Sequence, residues 1–552
     1  MTSKKKQKFI FVTGGVMSGV GKGIAASSIG LILQSKGFKV NPIKVDPYLN
    51  VDAGTMNPTE HGEVFVLDSG LETDQDMGNY ERFMEVNLSN DDYMTSGMIY
   101  KHVIDKERNL GYKGKCVEAI PHITEEITNR ILRSAKTHDS DITLVEIGGT
   151  VGDYQNALFI EAARVLKIRH PDDVMFIMVS YLPIPGSLGE MKTRPTQNAV
   201  RQLNSYGVQP DMIIARSKLP LDEKRKEKIA FACAIRTSHV ISAPDISSVY
   251  DVPVNFEKDN IGNTILKSLH LRPRPSAEDL RGWNTFVKKM KTVEKEVKIA
   301  IVGKYFDTGD FVLSDAYLSV IEALKYSAYH SGAKPVLTWL NAKDFEKGKA
   351  KVSSLKDYDG IIVPGGFGES GIEGKLKVIQ YAREKKIPYF GLCYGMQLLV
   401  IEYARNVLGL KDANTGEITP DGANKVVDIM PAQKKLLEEG KYGASMRLGA
   451  YPAVLGKGTV AREAYGADEI SERHRHRYEV NQDYVEKLKE AGLVFSGTSP
   501  DGKLMEIAEL PEKEHPFFLG TQFHPEFKAR PVNPHPLFTA FIKAAIKASK
   551  KS

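Results

Sequence analysis

Short apolar runs rich in β-branched residues, each ending in Gly or Asp and followed by a helical stretch, recur through both halves of the chain. No other feature narrows the possible folds as much, because parallel α/β sheets require this alternation. In the first half the runs are KFIFVTGG, VNPIKVDPY, ITLVEIGG, VMFIMVSYLP and MIIARSK; in the second they are VKIAIVGKY, GIIVPGGFG, IPYFGLCYG and FFLGTQFHPEF. Between them, residues 271–297 (LRPRPSAEDLRGWNTFVKKMKTVEKEV) open on prolines, offer Ser276 as a helix cap and continue as a charged helical stretch. The expected architecture is α/β, with two doubly wound parallel-sheet domains, 1–271 and 297–552, and a linker at 272–296. A length of 552 residues exceeds one hydrophobic core and agrees with that division.

The net charge of +6 is small for this length and does not argue for a nucleic-acid binder, though clustered cations would suit small polyanions. Three cysteines, Cys116, Cys233 and Cys393, cannot build a disulfide framework and point to a reducing compartment. No apolar run approaches the roughly 20 residues of a membrane-spanning helix. The short apolar stretch near the start runs into a glycine loop and does not read as a signal peptide. The expectation is a cytoplasmic protein with no membrane or nucleic-acid partner. Its basic ends (Lys4, Lys5 and Lys6; Lys547, Lys550 and Lys551) should be solvated.

The stretch VTGGVMSGVGKGIAASSIG, residues 12–30, departs from the standard phosphate-binding loop in an informative way. An apolar strand, glycines, Lys22 and a small-residue helix follow in the right order, so backbone N–H groups, a helix N-terminus and one cation can face an anion. Gly23, however, stands where that loop carries the Ser or Thr that holds Mg²⁺. Hard oxygen ligands must then come from elsewhere. Glu146, at the end of an apolar run and just before Gly148-Gly149, is one candidate; Asp74 and Asp76 in ETDQDMGNYERF are others, though on spacing alone that cluster reads first as a solvated acidic loop. In GEMKTRPTQNAVRQL (189–203), Lys192, Thr193, Arg194, Thr196 and Gln197 precede a helical run, suited to a second polyphosphate or simply a basic loop.

The second half carries a different chemistry. PYFGLCYGMQ sets Cys393 between glycines after an apolar strand, the place of a nucleophile on a strand-to-helix turn. Downstream, GTQFHPEF spaces His524 and Glu526 by two, which in a strand puts both on one face, as base and orienter. VPGGFG (363–368) offers backbone N–H groups to an oxyanion.

With these residues in view, the second half resembles class I glutamine amidotransferase domains, and the whole chain resembles the CTP synthase family. The resemblance runs from FVTGGV through KVDPYLNVDAGTMNP, HGEVFV, ETD, EIGGTVGD, KTRPTQ and RHRHRYEVN to QFHPEF, in both domains and in family order. It implies an N-terminal P-loop-like synthase domain and a C-terminal glutaminase domain that together aminate UTP to CTP with ATP and glutamine. By position it implies a catalytic triad of Cys393, His524 and Glu526, and ATP held by Ser18, Gly19, Val20, Gly21, Lys22 and Gly23 with Lys44 and Asp76. Mg²⁺ falls to Asp76 and Glu146; UTP, and CTP as feedback inhibitor, to Ser18, Asp153, Lys192, Thr193, Arg194, Pro195, Thr196, Gln197 and Lys228. Glutamine falls to Gly365, Tyr394, Gly395, Met396, Gln397, Glu417 and Arg477. The family also implies GTP as an allosteric activator and a homotetramer. Three positions depart from the commonest pattern: Tyr154-Gln155 after Asp153, Arg194 in place of lysine, and Tyr394 after Cys393. Two other readings share some of these features, a cobyrinate-type amidase synthase and a nucleotide-switched assembly protein.

Overall fold

The computed structural model describes residues 7–186, 190–276, 279–304, 314–366, 368–430 and 446–550. The sequence readings on Lys4, Lys5, Lys6, Gly189, Phe367 and Lys551 lie outside the described residues. The chain divides into two compact units, one of Met1–Asp52 and Asp76–Val287 and one of Ala53–Gln75 and Lys288–Ser552.

The first unit is built on a seven-stranded, wholly parallel sheet. Its order runs Tyr93–Thr95, Val40–Asp46, Ile142–Ile147, Lys8–Gly15, Val174–Tyr181, Met212–Ser217, Val240–Pro244. The inner strands are buried on both faces, which is why they read as unbroken apolar runs such as VMFIMVSY. Chain order reverses direction at Lys8–Gly15, whose C-terminal end carries the glycine loop; open α/β sheets bind ligands at such a crevice.

The second unit holds a nine-stranded sheet, parallel over Lys334–Asn341, Glu296–Gly303, Gly360–Val363, Tyr389–Leu392 and Phe518–Thr521. Beyond these, Met505–Glu509, Val494–Thr498, Arg447–Leu455 and Glu469–His476 continue it antiparallel. This antiparallel wing is the detail that the expected doubly wound sheet lacks: antiparallel neighbours need no crossover, and Val494–Thr498 runs into Met505–Glu509 through a short turn.

Two boundaries differ from the sequence reading. The supposed linker contains the helix Arg281–Thr292, which buries Trp283, Phe286 and Val287 in the first unit. Trp283 donates to the Tyr250 carbonyl at 2.9 Å and packs on Phe83 and Tyr250. Ser276 does not cap that helix; its hydroxyl donates to the Gln34 carbonyl. Residues 53–75, N-terminal in sequence, cluster with the second unit. There Asp68 pairs with the fully buried Arg473 at 2.5 Å, Glu72 with Arg475 at 2.7 Å, and Phe65 packs edge-on against Phe527. Gly70 and Gly449 meet backbone to backbone, a Cβ on Gly449 lying 2.6 Å from the Gly70 nitrogen, so neither tolerates a side chain.

Candidate active site

In the first unit the glycine loop turns at Gly19 and Gly21, at φ 68° and 87°, where only glycine sits without strain. It feeds the helix Lys22–Ser35, whose first N–H groups lack intrahelical partners. Lys22 is buried and folds back so that Nζ donates to the Gly149 carbonyl at 2.7 Å. Burial pushes its ammonium down from the ordinary lysine range, with Glu146 opposing.

Gly23 now has a physical reason. A Cβ at this position would lie 2.0 Å from Asp76 Oδ1, so the Asp76 carboxylate fills the space that a loop hydroxyl would take. Asp76 stands in the first turn of the helix Gln75–Met84. Lys44 and Glu146 are register partners on adjacent parallel strands. Lys44 Nζ therefore reaches both carboxylates, Asp76 Oδ2 at 2.5 Å and Glu146 Oε1 at 3.0 Å. Tyr80, one turn after Asp76, donates to the other Glu146 oxygen. Burial raises the Glu146 carboxyl despite Lys44, whereas for Asp76 burial is outweighed by Lys44 and the carboxyl is held low.

Among the described residues no group of three or more His, Cys, Asp or Glu side chains could hold a metal alone. Asp76 and Glu146, however, converge on Lys44 beside the glycine loop. Such a pair fits Mg²⁺, which takes one or two carboxylates and completes its shell with phosphate oxygens and water. Asp76 is an acid that reaches Lys44, at 2.5 Å.

Around this centre, Lys192 to Gln197 open the helix Arg194–Ser205, with Thr193 at its N-cap position and Pro195 in the first turn. Thr196 is buried against Ser180, 2.8 Å between hydroxyls, and Gln197 Nε2 donates to Thr193 Oγ1 at 3.2 Å. Lys192 pairs with Glu190 at 2.6 Å and holds that carboxyl low, with Lys228 adding to the effect. Asp153 Oδ2 accepts from the Thr150 N–H at 2.6 Å, bracing the loop whose Gly149 carbonyl holds Lys22. Tyr154 is 96% exposed. Sequence reasoning missed an open cleft flanking the loop, lined by Gly21, Ile24, Ala25, Arg216, Asn255 and Phe256 among others. Its apolar residues are scattered over the chain and carry no motif.

In the second unit Cys393 stands between the strand Tyr389–Leu392 and the helix Tyr394–Asn406, at φ 48°, ψ −99°. A non-glycine residue there is strained, the mark of a nucleophile turn. Its neighbours must be glycine: a Cβ on Gly395 would lie 2.2 Å from the Val363 carbonyl, and one on Gly391 2.7 Å from the Gly395 carbonyl. His524 Nδ1 lies 2.7 Å from Glu526 Oε1. The expected strand alternation is not what joins them. The strand Phe518–Thr521 ends before His524, and Glu526 sits in the 3₁₀ turn Pro525–Lys528, which curls it back under the ring. Burial works against charging His524, but Glu526 and the Cys393 sulfur prevail and hold it up to about 10.

Cys393, His524, Glu526, Gly365 and Gly366 line an open cavity together with Pro58, Glu63, Val64 and Arg475. Glu417 accepts from the Gly368 N–H at 2.9 Å, and Tyr394 packs beneath the same loop, its hydroxyl 3.5 Å from the Gly368 carbonyl. Gln397 donates to the Tyr478 carbonyl at 2.7 Å. Burial and Glu417 raise the Tyr478 phenol while Arg477 opposes. Met396 and Gly395 are buried in the first turn of the helix and serve packing in this geometry. Behind the glycines Lys375 is buried, and burial with Lys304 beside it pushes its ammonium down to about 7.

Known proteins align with both units. The family model described as the CTP synthase N-terminus matches residues 8–271, and that of class-I glutamine amidotransferases matches residues 312–544. A CTP synthase of Carboxydothermus hydrogenoformans is 51% identical over 544 residues, covering 98% of this chain and 99% of its own. One from Thermococcus gammatolerans is 50% identical over 540 residues, covering 98% of each. A solved glutaminase domain of Trypanosoma brucei CTPS is 36% identical and covers 46% of this chain and 94% of its own, with a TM-score of 0.41.

Proposed function

The chain belongs to the CTP synthase family, a glutamine-hydrolysing ligase that converts UTP to CTP, and from that premise we propose how its two sites divide the reaction. The observation that carries this reading is that each unit supplies one site from its own residues: a strained Cys393 with a His524–Glu526 pair in one, a phosphate loop completed by Asp76 in the other.

At the first of these, glutamine lies in the cavity with Glu417 and Arg477 at its amino-acid end. The Cys393 sulfur attacks the carboxamide carbon, and backbone N–H groups of the Gly365–Gly366 loop take the oxyanion. The C–N bond breaks as His524, already imidazolium, gives its proton to the departing ammonia. Water then attacks the thioester, returning glutamate and the free sulfur.

At the other site, the loop Ser18–Gly23 and the helix N-terminus hold the ATP phosphates, and the flanking cavity takes the base. Asp76 and Glu146 hold Mg²⁺, which when bound offsets phosphate charge. Ser18, Asp153, Lys192–Gln197 and Lys228 hold UTP. Lys44 stands where it can follow the transferred phosphoryl group from ATP to the uracil O4. Ammonia, passed internally from the glutaminase, adds at C4, and phosphate leaves. On this reading CTP competes for the UTP residues, GTP activates, and the enzyme works as a homotetramer.

Incubating the protein with UTP, ATP, Mg²⁺ and glutamine should give CTP, glutamate, ADP and phosphate in equal amounts. Amidation of another acid, or nucleotide binding with no turnover, would favour the amidase-synthase or the assembly reading instead.

A further inference from the structure

We propose that Gln522 is a further working residue of the glutaminase, one that holds the Cys393 sulfur through its side-chain N–H and sets the orientation of Gln397 through its side-chain oxygen. This rests on the reading of Cys393 as the nucleophile. Gln522 is buried, 1% exposed, on the connection that leads from the strand Phe518–Thr521 to His524. Its backbone N–H donates to the Glu506 carbonyl at 2.8 Å, and the preceding residue, Thr521, accepts the Cys393 N–H at 2.6 Å. One short segment thus fixes the nucleophile's backbone at Thr521, its sulfur at Gln522 and its base at His524.

The side chain can take only one orientation. Gln522 Nε2 lies 3.7 Å from Cys393 Sγ, a normal N–H to sulfur distance. Its Oε1 accepts from Gln397 Nε2 at 3.2 Å. Rotating the amide by half a turn would set its oxygen against the sulfur and its NH₂ against the NH₂ of Gln397, losing both bonds. Gln397 is constrained in turn: its two N–H groups go to the Tyr478 carbonyl and to Gln522, so its side chain has only an oxygen left to present. The line runs from Tyr478 through Gln397 and Gln522 to the sulfur. The sulfur's other close polar neighbour is the Arg475 carbonyl, also at 3.7 Å, which can accept from a thiol but offers nothing to a thiolate. Among the described residues, the Gln522 N–H is therefore the side-chain hydrogen bond available to the attacking form of the nucleophile besides His524. A buried donor aimed at developing charge is worth more than the same group in water.

Two substitutions in the full-length protein separate these contacts. Gln522→Glu keeps the shape and still accepts from Gln397, but replaces the N–H at the sulfur by a carboxylate oxygen. Gln522→Leu removes both contacts. For glutamine hydrolysis, Gln522→Glu should lower kcat about 10²-fold, as loss of one oxyanion-hole donor does, with KM within about twofold of wild type. Gln522→Leu should lower kcat and also raise KM, because Gln397 loses its partner. Alkylation of Cys393 by iodoacetamide at neutral pH, followed by mass spectrometry of its peptide, should slow in both variants. Unchanged alkylation and kcat in a folded Gln522→Glu protein would overturn the proposal, as would a lower melting temperature with wild-type alkylation. If wild type hydrolysed no glutamine, the glutaminase reading would fail, while the alkylation comparison would still decide whether Gln522 holds the sulfur.

Discussion

A side chain at position 23 has nowhere to go, because the Asp76 carboxylate already occupies the space 2.0 Å from where its Cβ would be. Gly23→Ser, which restores the usual phosphate-loop spelling, should therefore lower CTP formation about 10²-fold, the usual cost of misplacing a catalytic group by an ångström; ATP-dependent CTP synthesis with ammonium would measure it. Glu146→Gln should abolish CTP formation while glutamine hydrolysis stays measurable, and normal Mg²⁺-dependent synthesis in that variant would remove Glu146 from the site. His524 gives a pH prediction. Its value of about 10 lies above the ordinary imidazole value, so the imidazolium stabilises the fold fully below about pH 6.5 and the contribution fades as pH rises through about 10. Glu526→Gln removes the largest charge that holds the proton. Its melting temperature should fall furthest below wild type on the acid side of that window, with the gap closing towards pH 10.

Elements set these residues in place. The nucleophile turn depends on glycine packing, since a Cβ on Gly395 would strike the Val363 carbonyl at 2.2 Å. Gly395→Ala should deform the turn and remove glutamine-dependent synthesis, leaving ammonium-dependent synthesis in the protein that still folds. GxCxG was legible as such a turn because its glycines are local. The His524–Glu526 pairing was legible as a pair, though not its cause, since a 3₁₀ turn and a strand both bring residues two apart into reach. The segment 53–75 was not legible as part of the second unit, because its anchors, Arg473, Arg475 and Phe527, lie more than 400 residues away in the chain. Arg473→Ala should lower stability by about 2 kcal/mol in urea melts, less than for a fully buried pair because Asp68 is 34% exposed and regains water.

For the molecule as a whole, the two-site reading makes one decisive demand. Cys393→Ala should lose all glutamine-dependent CTP synthesis, since Cys233 is buried with burial pushing its thiol up to about 11 and Cys116 is in no nucleophile turn. Added ammonium, at a pH where free NH₃ exists, should restore synthesis. Loss of both activities in a folded variant would contradict two separable sites, and retained glutamine activity would sink Cys393 as nucleophile.

The sequence by itself determined the α/β class, the glycine loop with its missing hydroxyl, and the cysteine turn, because each is written in neighbouring residues whose spacing repeats a backbone period or a turn. Family resemblance added the long-range partners by position. Only the tertiary structure decided that Asp76 fills the space beside Gly23 and that Lys44 ties it to Glu146, since parallel strand register, not sequence distance, makes Lys44 and Glu146 neighbours. It likewise decided that Gln522 touches the sulfur and that the helix Arg281–Thr292 closes the first unit. A hydrogen bond or a buried ring depends on where two distant segments meet in space, and no local pattern records that meeting.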